Sequence, residues 1–159
     1  MAREIRNKDS KMKKKTNSER TYYADGYRKR SASLCFRTSD FDEVLLVSST
    51  GSPENWVVPG GGLEPDESAG DAAVRELKEE AGVIGRVGKH IGDFELEEGG
   101  KKKRTSVFCL VFEEELDEWL DKTESGRRRM WFNIKDALNE LKKYKHSQSI
   151  YLEESLKTR

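Results

Sequence analysis

No stretch of this chain approaches the apolar length needed to span a membrane, and its polar N-terminus is unsuited to a secretory signal. Cysteine is scarce. Cys35 and Cys109 lack metal-ligand spacing and sit inside apolar, strand-like runs, which predicts two reduced core thiols in an intracellular protein, cytoplasmic or nuclear. Hydrophobic residues make up 34% against 38% charged, so a small core beneath a very polar surface is expected. Net charge is absent too, with 30 Lys and Arg balancing 30 Asp and Glu. There is no internal repeat. The 159 residues suit one domain, over residues 19–157, with a flexible basic tail over residues 1–18.

The neutrality conceals an uneven distribution. Lys11, Lys13, Lys14, Lys15, Arg20, Arg28, Lys29 and Arg30 crowd the first thirty residues, and Lys101-Lys102-Lys103-Arg104 and Arg127-Arg128-Arg129 form two further knots. The run from Lys11 to Lys15 fits a nuclear import signal, although a solvated tail is the simpler reading. Basic clusters beside an acidic site point to a strongly anionic, small-molecule polyphosphate substrate. Nucleic acid is the competing partner. It is disfavoured because aromatic and basic residues do not interleave as an RNA-recognition motif requires. Nothing in the sequence demands more than a monomer.

The acidic site is written in one segment. Gly61 is followed six residues later by Glu67, and eight residues after that by Arg75-Glu76-Leu77-Lys78-Glu79-Glu80-Ala81-Gly82-Val83. A helix is expected over residues 67–81: Ala72, Ala73 and Leu77 are good helix formers, Pro65 and Asp66 precede it, and Gly82 is placed to cap it. Glu76, Glu79 and Glu80 then converge along one side, where like charges repel and folding gains nothing. A hard divalent cation does need such oxygens, and Mg2+ keeps waters that phosphate can replace. A solvated acidic face would explain a lone Glu-Glu pair, but not the glycines and Arg75 at these spacings. Glu67 lies about 12 Å from Arg75 along a helix axis, so it reaches Arg75 only if the helix starts after it or its side chain folds back.

These spacings fill every fixed position of the Nudix box, and the chain resembles the Nudix hydrolase superfamily. The resemblance implies an α/β fold, an α/β/α sandwich with a mixed β-sheet, and a pyrophosphohydrolase. It also implies Mg2+, with Mn2+ as a substitute, held by Glu76, Glu79, Glu80 and the carbonyl of Gly60. The rest of the pattern agrees. Residues 31–37 and 43–48 read as a hairpin, residues 85–94 as one or two short strands, and residues 130–134 as another strand. Residues 104–112 read as a central strand with Val107, Cys109 and Val111 on one face and Phe108, Leu110 and Phe112 on the other. Gly60-Gly61-Gly62 reads as a loop that lets backbone approach a metal or phosphate. Helices are expected over residues 135–143, and over residues 147–156 with Ile150, Tyr151 and Leu152 packed inward. Together these suggest a mixed sheet between helical layers.

The resemblance extends beyond the box. Arg20-Thr21-Tyr22, Asp25-Gly26-Tyr27-Arg28-Lys29-Arg30, Leu34-Cys35-Phe36-Arg37, Glu43 to Ser49, Trp56 to Gly62, Gly126 to Arg129 and Trp131-Phe132 are similar to the diphosphoinositol polyphosphate phosphohydrolases. That similarity implies phosphate contacts at Arg20, Arg28, Arg30, Ser49, Gly60, Gly61, Lys101, Arg127 and Lys145. It also implies in-line attack by water on a terminal phosphorus. The proton passes to Glu79 or Glu80, with Glu79 favoured, and Arg75 orients the glutamates. Arg28 and Arg30 would share one face of a strand, where two guanidiniums can each grip a phosphate. Two departures stand out: Gly51 and Asn55 occupy places where relatives are usually basic, and the loop from Glu95 to Lys103 is about two residues longer. The rival readings are a diadenosine polyphosphate hydrolase, with Tyr22, Tyr23, Tyr27 and Trp56 as loose candidates for adenine stacking, an RNA-decapping enzyme, and a non-catalytic polyphosphate-binding module. The intact box argues against the last.

Overall fold

The computed structural model describes residues 19–157. The tail expected over residues 1–18, including Lys11 to Lys15, lies outside the described residues. Seven strands appear among the described residues: β1 (Arg28–Phe36), β2 (Glu43–Ser48), β3 (Trp56–Val57), β4 (Gly60–Gly62), β5 (Val83–Glu98), β6 (Lys101–Glu115) and β7 (Arg129–Asn133). Four helices accompany them: α1 (Ala69–Ala81), α2 (Leu120–Ser125), α3 (Ile134–Tyr144) and α4 (His146–Lys157). The strands join in one sheet of order β3-β2-β1-β6-β5, with β4 paired to β1 and β7 to β2. β1 and β6 run parallel, in register from Arg28 beside Lys103 to Phe36 beside Val111. β1 is antiparallel to β2 and β4, and β5 is antiparallel to β6. The expected mixed sheet is therefore present.

Alternation along the strands divides the core. Leu34, Val44, Leu46, Val107 and Cys109 face Ala137 and Leu141 of α3 and Tyr151 and Leu152 of α4. Cys35, Leu45, Val47, Phe108 and Leu110 face Ala73, Leu77 and Ala81 of α1. The result is the α/β/α sandwich, its sheet apolar on both faces as the pattern of β6 requires. Each fully buried leucine, such as Leu34, Leu77 or Leu141, contributes about 2 kcal/mol relative to exposure, before the entropy of ordering it is subtracted.

Several local expectations are corrected. α1 begins at Ala69, not at Glu67, because the Ser68 hydroxyl accepts from the Asp71 N–H and caps the helix, while Asp66 turns the chain with φ of 64°. Gly82 ends it in the left-handed region at φ 63°, as expected, with its N–H on the Lys78 carbonyl. The Gly60–Gly62 segment is strand β4 and not a loop. β5 is one long strand whose register slips at three points, between residues 84 and 92; the glycines there hid its alternation. Val111 and Ile150 were both expected inside, yet they are 42% and 40% exposed. On α4 the buried face belongs to Ser149, Tyr151, Leu152 and Ser155. No helix among the described residues is long and apolar enough to cross a membrane.

Candidate active site

The three glycines of β4 stand between an acidic and a basic group. A Cβ on Gly60 would lie 2.6 Å from the Ser31 carbonyl oxygen, and one on Gly61 would lie 2.6 Å from the Glu76 carboxyl carbon. At Gly62 it would meet the Arg28 guanidinium at 2.5 Å. Consecutive strand residues point to opposite faces, so bare backbone is what lets Glu76 and Arg28 press against β4 from its two sides. Gly61→Ala should push the Glu76 carboxylate aside, lowering kcat about ten- to hundredfold. The same change should reduce stability by about 1–3 kcal/mol in thermal or urea unfolding, as overpacking does.

Arg75 is the hub of the acidic side. Its Nε and Nη2 donate to the two Glu67 carboxylate oxygens at 2.8 and 2.9 Å, and Nη2 also donates to the Gly62 carbonyl at 3.1 Å. Its Nη1 donates to Glu76 at 3.2 Å and Glu79 at 3.3 Å. The late start of α1 frees Glu67 to fold back in this way. The hydrogen bonds that Arg75 donates to Glu67 hold its guanidinium more firmly protonated. Burial alone would raise the Glu67 carboxyl, but Arg75 and the Glu64 N–H together hold it below the ordinary carboxylate range. A lowered folded-state value stabilises above the unfolded pKa, about 4.3 for Glu, and that stability is lost as pH falls through the folded value. Arg75→Met should therefore cost about 1–3 kcal/mol at neutral pH, and the difference from wild type should shrink in acid, read by unfolding curves across pH.

Glu80 is held from two directions. The Gly60 N–H donates to its Oε1 at 3.0 Å, and Arg127 Nη1 lies 3.2 Å from the same oxygen. Arg127 Nε lies 3.4 Å from Asp121, and both side chains are largely buried. Gly126, at φ 69°, turns the chain after α2 so that the Arg127 N–H meets the Asp121 carbonyl at 3.1 Å. Arg127, expected at the phosphates, thus stands with the acidic residues. Asp121 had no sequence signal beyond the need of a buried arginine for a partner.

Glu76 and Glu80 are each only 5% exposed, and with Glu79 they present hard oxygen donors along one side of α1. That donor set suits a hard divalent cation. Among the described residues no three acidic, histidine or cysteine side chains converge as a ready cage. Glu76 and Glu79 share Arg75 while Glu80 takes Arg127, so the two guanidiniums neutralise the charge that a cation would neutralise.

The basic side lies across β4. Arg28 and Arg30 share a face of β1, and Lys103 of β6 stands beside Arg28. The buried Nε of Arg28 and that of Arg30 meet no acceptor. Burial, then Arg30 and Arg20, weakens the hold of Arg28 on its proton, so these cations lie close enough to repel. Lys103 is within the field of Lys145 as well. Ser49 reaches the Tyr144 hydroxyl at 3.2 Å, and Lys145 lies 5.4 Å from the Tyr144 ring. Lys101 sits opposite Glu98 at the end of the β5–β6 hairpin. Arg20, Arg28, Arg30 and Lys145 therefore come together, whereas Lys101 marks the rim. Arg104 secures the segment that carries them: it bridges Asp25 and Glu95, both at 2.6 Å, and lies over the Tyr23 and Tyr27 rings at 4.7 and 4.5 Å.

An α/β/α sandwich with a buried glutamate helix facing a basic cradle defines a hydrolase of phosphoanhydrides, and the NUDIX domain model matches residues 28–153: the chain belongs to the Nudix hydrolase family. Nudix hydrolases generally use divalent metal cations. The chain is similar to diphosphoinositol polyphosphate phosphohydrolase 2 of Homo sapiens, 49% identical over 142 residues that cover 89% of this chain and 78% of the relative. It is also 50% identical to diphosphoinositol polyphosphate phosphohydrolase 3-alpha of Mus musculus, covering 89% of this chain and 86% of that one. Among solved structures, a Nudix hydrolase from Nitrosomonas europaea superposes with a TM-score of 0.70 at 22% identity, over 82% of this chain and 89% of that chain. The C. elegans Ap4A hydrolase gives 0.63 at 21% identity, over 81% of this chain and 95% of that chain. At such identities these two establish the fold.

Proposed function

We propose that this enzyme hydrolyses the diphosphate group of diphosphoinositol polyphosphates and releases phosphate. The observation that carries the reading is the pair of buried, acceptor-less guanidinium Nε atoms on Arg28 and Arg30, set across a glycine strand from buried glutamates. Such donors await anionic oxygens, and a substrate with many phosphates supplies them. Arg20, Ser49, Lys101 and Lys145 extend the contact around these two, and the backbone of Gly60 and Gly61 lines its inner edge. Arg127 acts through Glu80.

Glu76, Glu79 and Glu80, with the Gly60 carbonyl, would hold Mg2+, for which Mn2+ could substitute. When bound, the cation supplies charge neutralisation on the diphosphate and acidifies a water. Glu79 is the favoured proton acceptor, since its side chain, 25% exposed against 6% for Glu80, is the more open to a water. Arg75 orients Glu67, Glu76 and Glu79, and the arginines of β1 stabilise the charge left on the leaving group. Residues 19–157 act as one domain and the enzyme works as a monomer, in the cytoplasm, the nucleus or both.

The rival substrate class, diadenosine polyphosphates, needs aromatic faces for adenine. Tyr23 and Tyr27 are covered by Arg104, and Trp56 is buried beneath Arg128 and against Phe132, which leaves Tyr22, 55% exposed, as the one open face of the four candidates. Parallel steady-state assays with Mg2+ should give a kcat/KM at least about tenfold higher for an inositol pyrophosphate than for a diadenosine polyphosphate. The reverse order would overturn this choice of substrate.

A further inference from the structure

The parallel strands β1 and β6 run out of the basic cradle and open, at their far ends, onto a cavity of about 350 Å³. From Arg30 to its wall at Phe36 is six residues of strand, about 20 Å, so the cavity is separate from the polyphosphate site. It is lined by Phe36 and Phe41, by Cys109 and Val111 of β6, and by Ser155 near the end of α4. Val111, 42% exposed, opens onto this hollow. The turn after β1 closes one side: the Phe41 N–H donates to the Thr38 carbonyl and the Asp40 N–H to the Thr38 hydroxyl, both at 3.2 Å. Phe41 itself sits at φ 61°, a left-handed backbone that bulky side chains avoid, and its ring stacks on Phe36 with centroids 4.3 Å apart. Strain of that kind persists only where the surroundings hold it, and it gathers at ligand sites. On the other side the register of β5 slips between Val87 and His90, and the slip sets Lys89 at the rim, where its charge reaches the Cys109 thiol.

We propose that this cavity is a second binding site, for a small apolar carboxylate of the medium-chain fatty acid kind, its chain against Phe36, Phe41, Cys109 and Val111 and its head group at Lys89. The volume falls at the lower end of small-molecule sites, about 300–1,000 Å³, and the walls are apolar with a few polar groups at the edge, as such sites are built. Charge selects the head group. Arg37 and Lys89 line the cavity and no described acid does, while Arg37 is held by Glu43 at 3.4 Å, so Lys89 is the cation placed to meet a ligand. One ammonium over aromatic walls suits a single carboxylate; a phosphate carries more charge and needs several donors to replace its water. Binding is reversible and non-covalent. Burial pushes the Cys109 thiol up to about 11, with Lys89 opposing, so it stays protonated and serves as an apolar wall.

The two cysteines make the test. Cys109 lines the cavity, whereas Cys35 is fully buried on the opposite face of the sheet and serves as the internal control. Alkylation of each thiol by iodoacetamide would be followed by peptide mass spectrometry, alone and with decanoate, decanol or acetate, all below micelle-forming concentrations. Saturating decanoate should slow alkylation of Cys109 about tenfold, leave Cys35 unchanged and raise the melting temperature. Decanol should bind about tenfold more weakly, and acetate should not protect. Lys89→Glu, an exposed change, should weaken decanoate about tenfold and leave decanol as it was. Val111→Trp, which fills the hollow from its open side, should abolish protection by both in a folded protein. Equal alkylation of Cys109 with and without decanoate, or protection that survives Val111→Trp, would overturn the site. Faster alkylation of both thiols, the mark of unfolding by a detergent, would count against it equally. Decanol protecting as well as decanoate, with Lys89→Glu indifferent, would overturn the carboxylate assignment.

Discussion

Glu80→Gln should yield a folded protein that cleaves phosphoanhydrides about a thousandfold more slowly than wild type, a loss of about 4 kcal/mol of transition-state stabilisation. The substitution is nearly isosteric. The amide oxygen can still accept from the Gly60 N–H, which lies 3.0 Å from Glu80 Oε1, so the tie between α1 and β4 persists. What is lost is a full negative charge, 5% exposed, beside the place proposed for the cation. Arg127, 3.2 Å away, would keep Asp121 as a partner, so stability should fall by about 1–3 kcal/mol without unfolding. Single-turnover rates and calorimetric Mg2+ titration read the effect directly. Near-normal turnover would show that this carboxylate belongs to the scaffold.

The second large effect belongs to the basic side. Arg28→Ala combined with Arg30→Ala should weaken binding of an inositol pyrophosphate by about a hundred- to ten-thousandfold. Each charge-assisted contact contributes about 1.5–3 kcal/mol, and neighbours in one network do not add simply. Because the lost interactions are electrostatic, the deficit should shrink as salt rises. The free protein should move the other way. Arg28 is repelled by Arg30 and Arg20, and the buried Nε atoms of Arg28 and Arg30 have no acceptor, so the double variant should melt at a higher temperature than wild type. Tighter unfolding with poorer binding is a signature of a ligand site, and a purely structural pair of arginines would lose stability instead.

The legible parts of this molecule were those with a local rule behind them. The box helix, its Gly82 cap and the doubly buried β6 follow from spacing and alternation, and the structure has them. Boundaries were less legible. The helix was expected from Glu67, whereas the Ser68 cap and the turn at Asp66 start it at Ala69 and leave Glu67 free to reach Arg75. In β5 the glycines broke the alternation that marks a strand, so the longest element of the sheet looked like two fragments or one short piece. The site was legible where family spacing reaches and silent where pairing across the sheet decides. Lys101 and Lys103 are equivalent in sequence, two residues apart in one basic knot. The parallel register of β1 with β6 brings Lys103 beside Arg28 and leaves Lys101 opposite Glu98. Asp121 was invisible for the same reason, since its partner Arg127 meets it only after the turn at Gly126.

The most direct test is a crystal structure with Mg2+ and a non-hydrolysable inositol pyrophosphate analogue. Cation density should lie on the Glu76, Glu79 and Glu80 carboxylates, with the Arg75 and Arg127 guanidiniums turned from their present partners as far as the cation requires. Phosphate oxygens should lie within hydrogen-bond reach of Arg28 and Arg30. Cations bound elsewhere, or phosphates seated away from both arginines, would contradict the account.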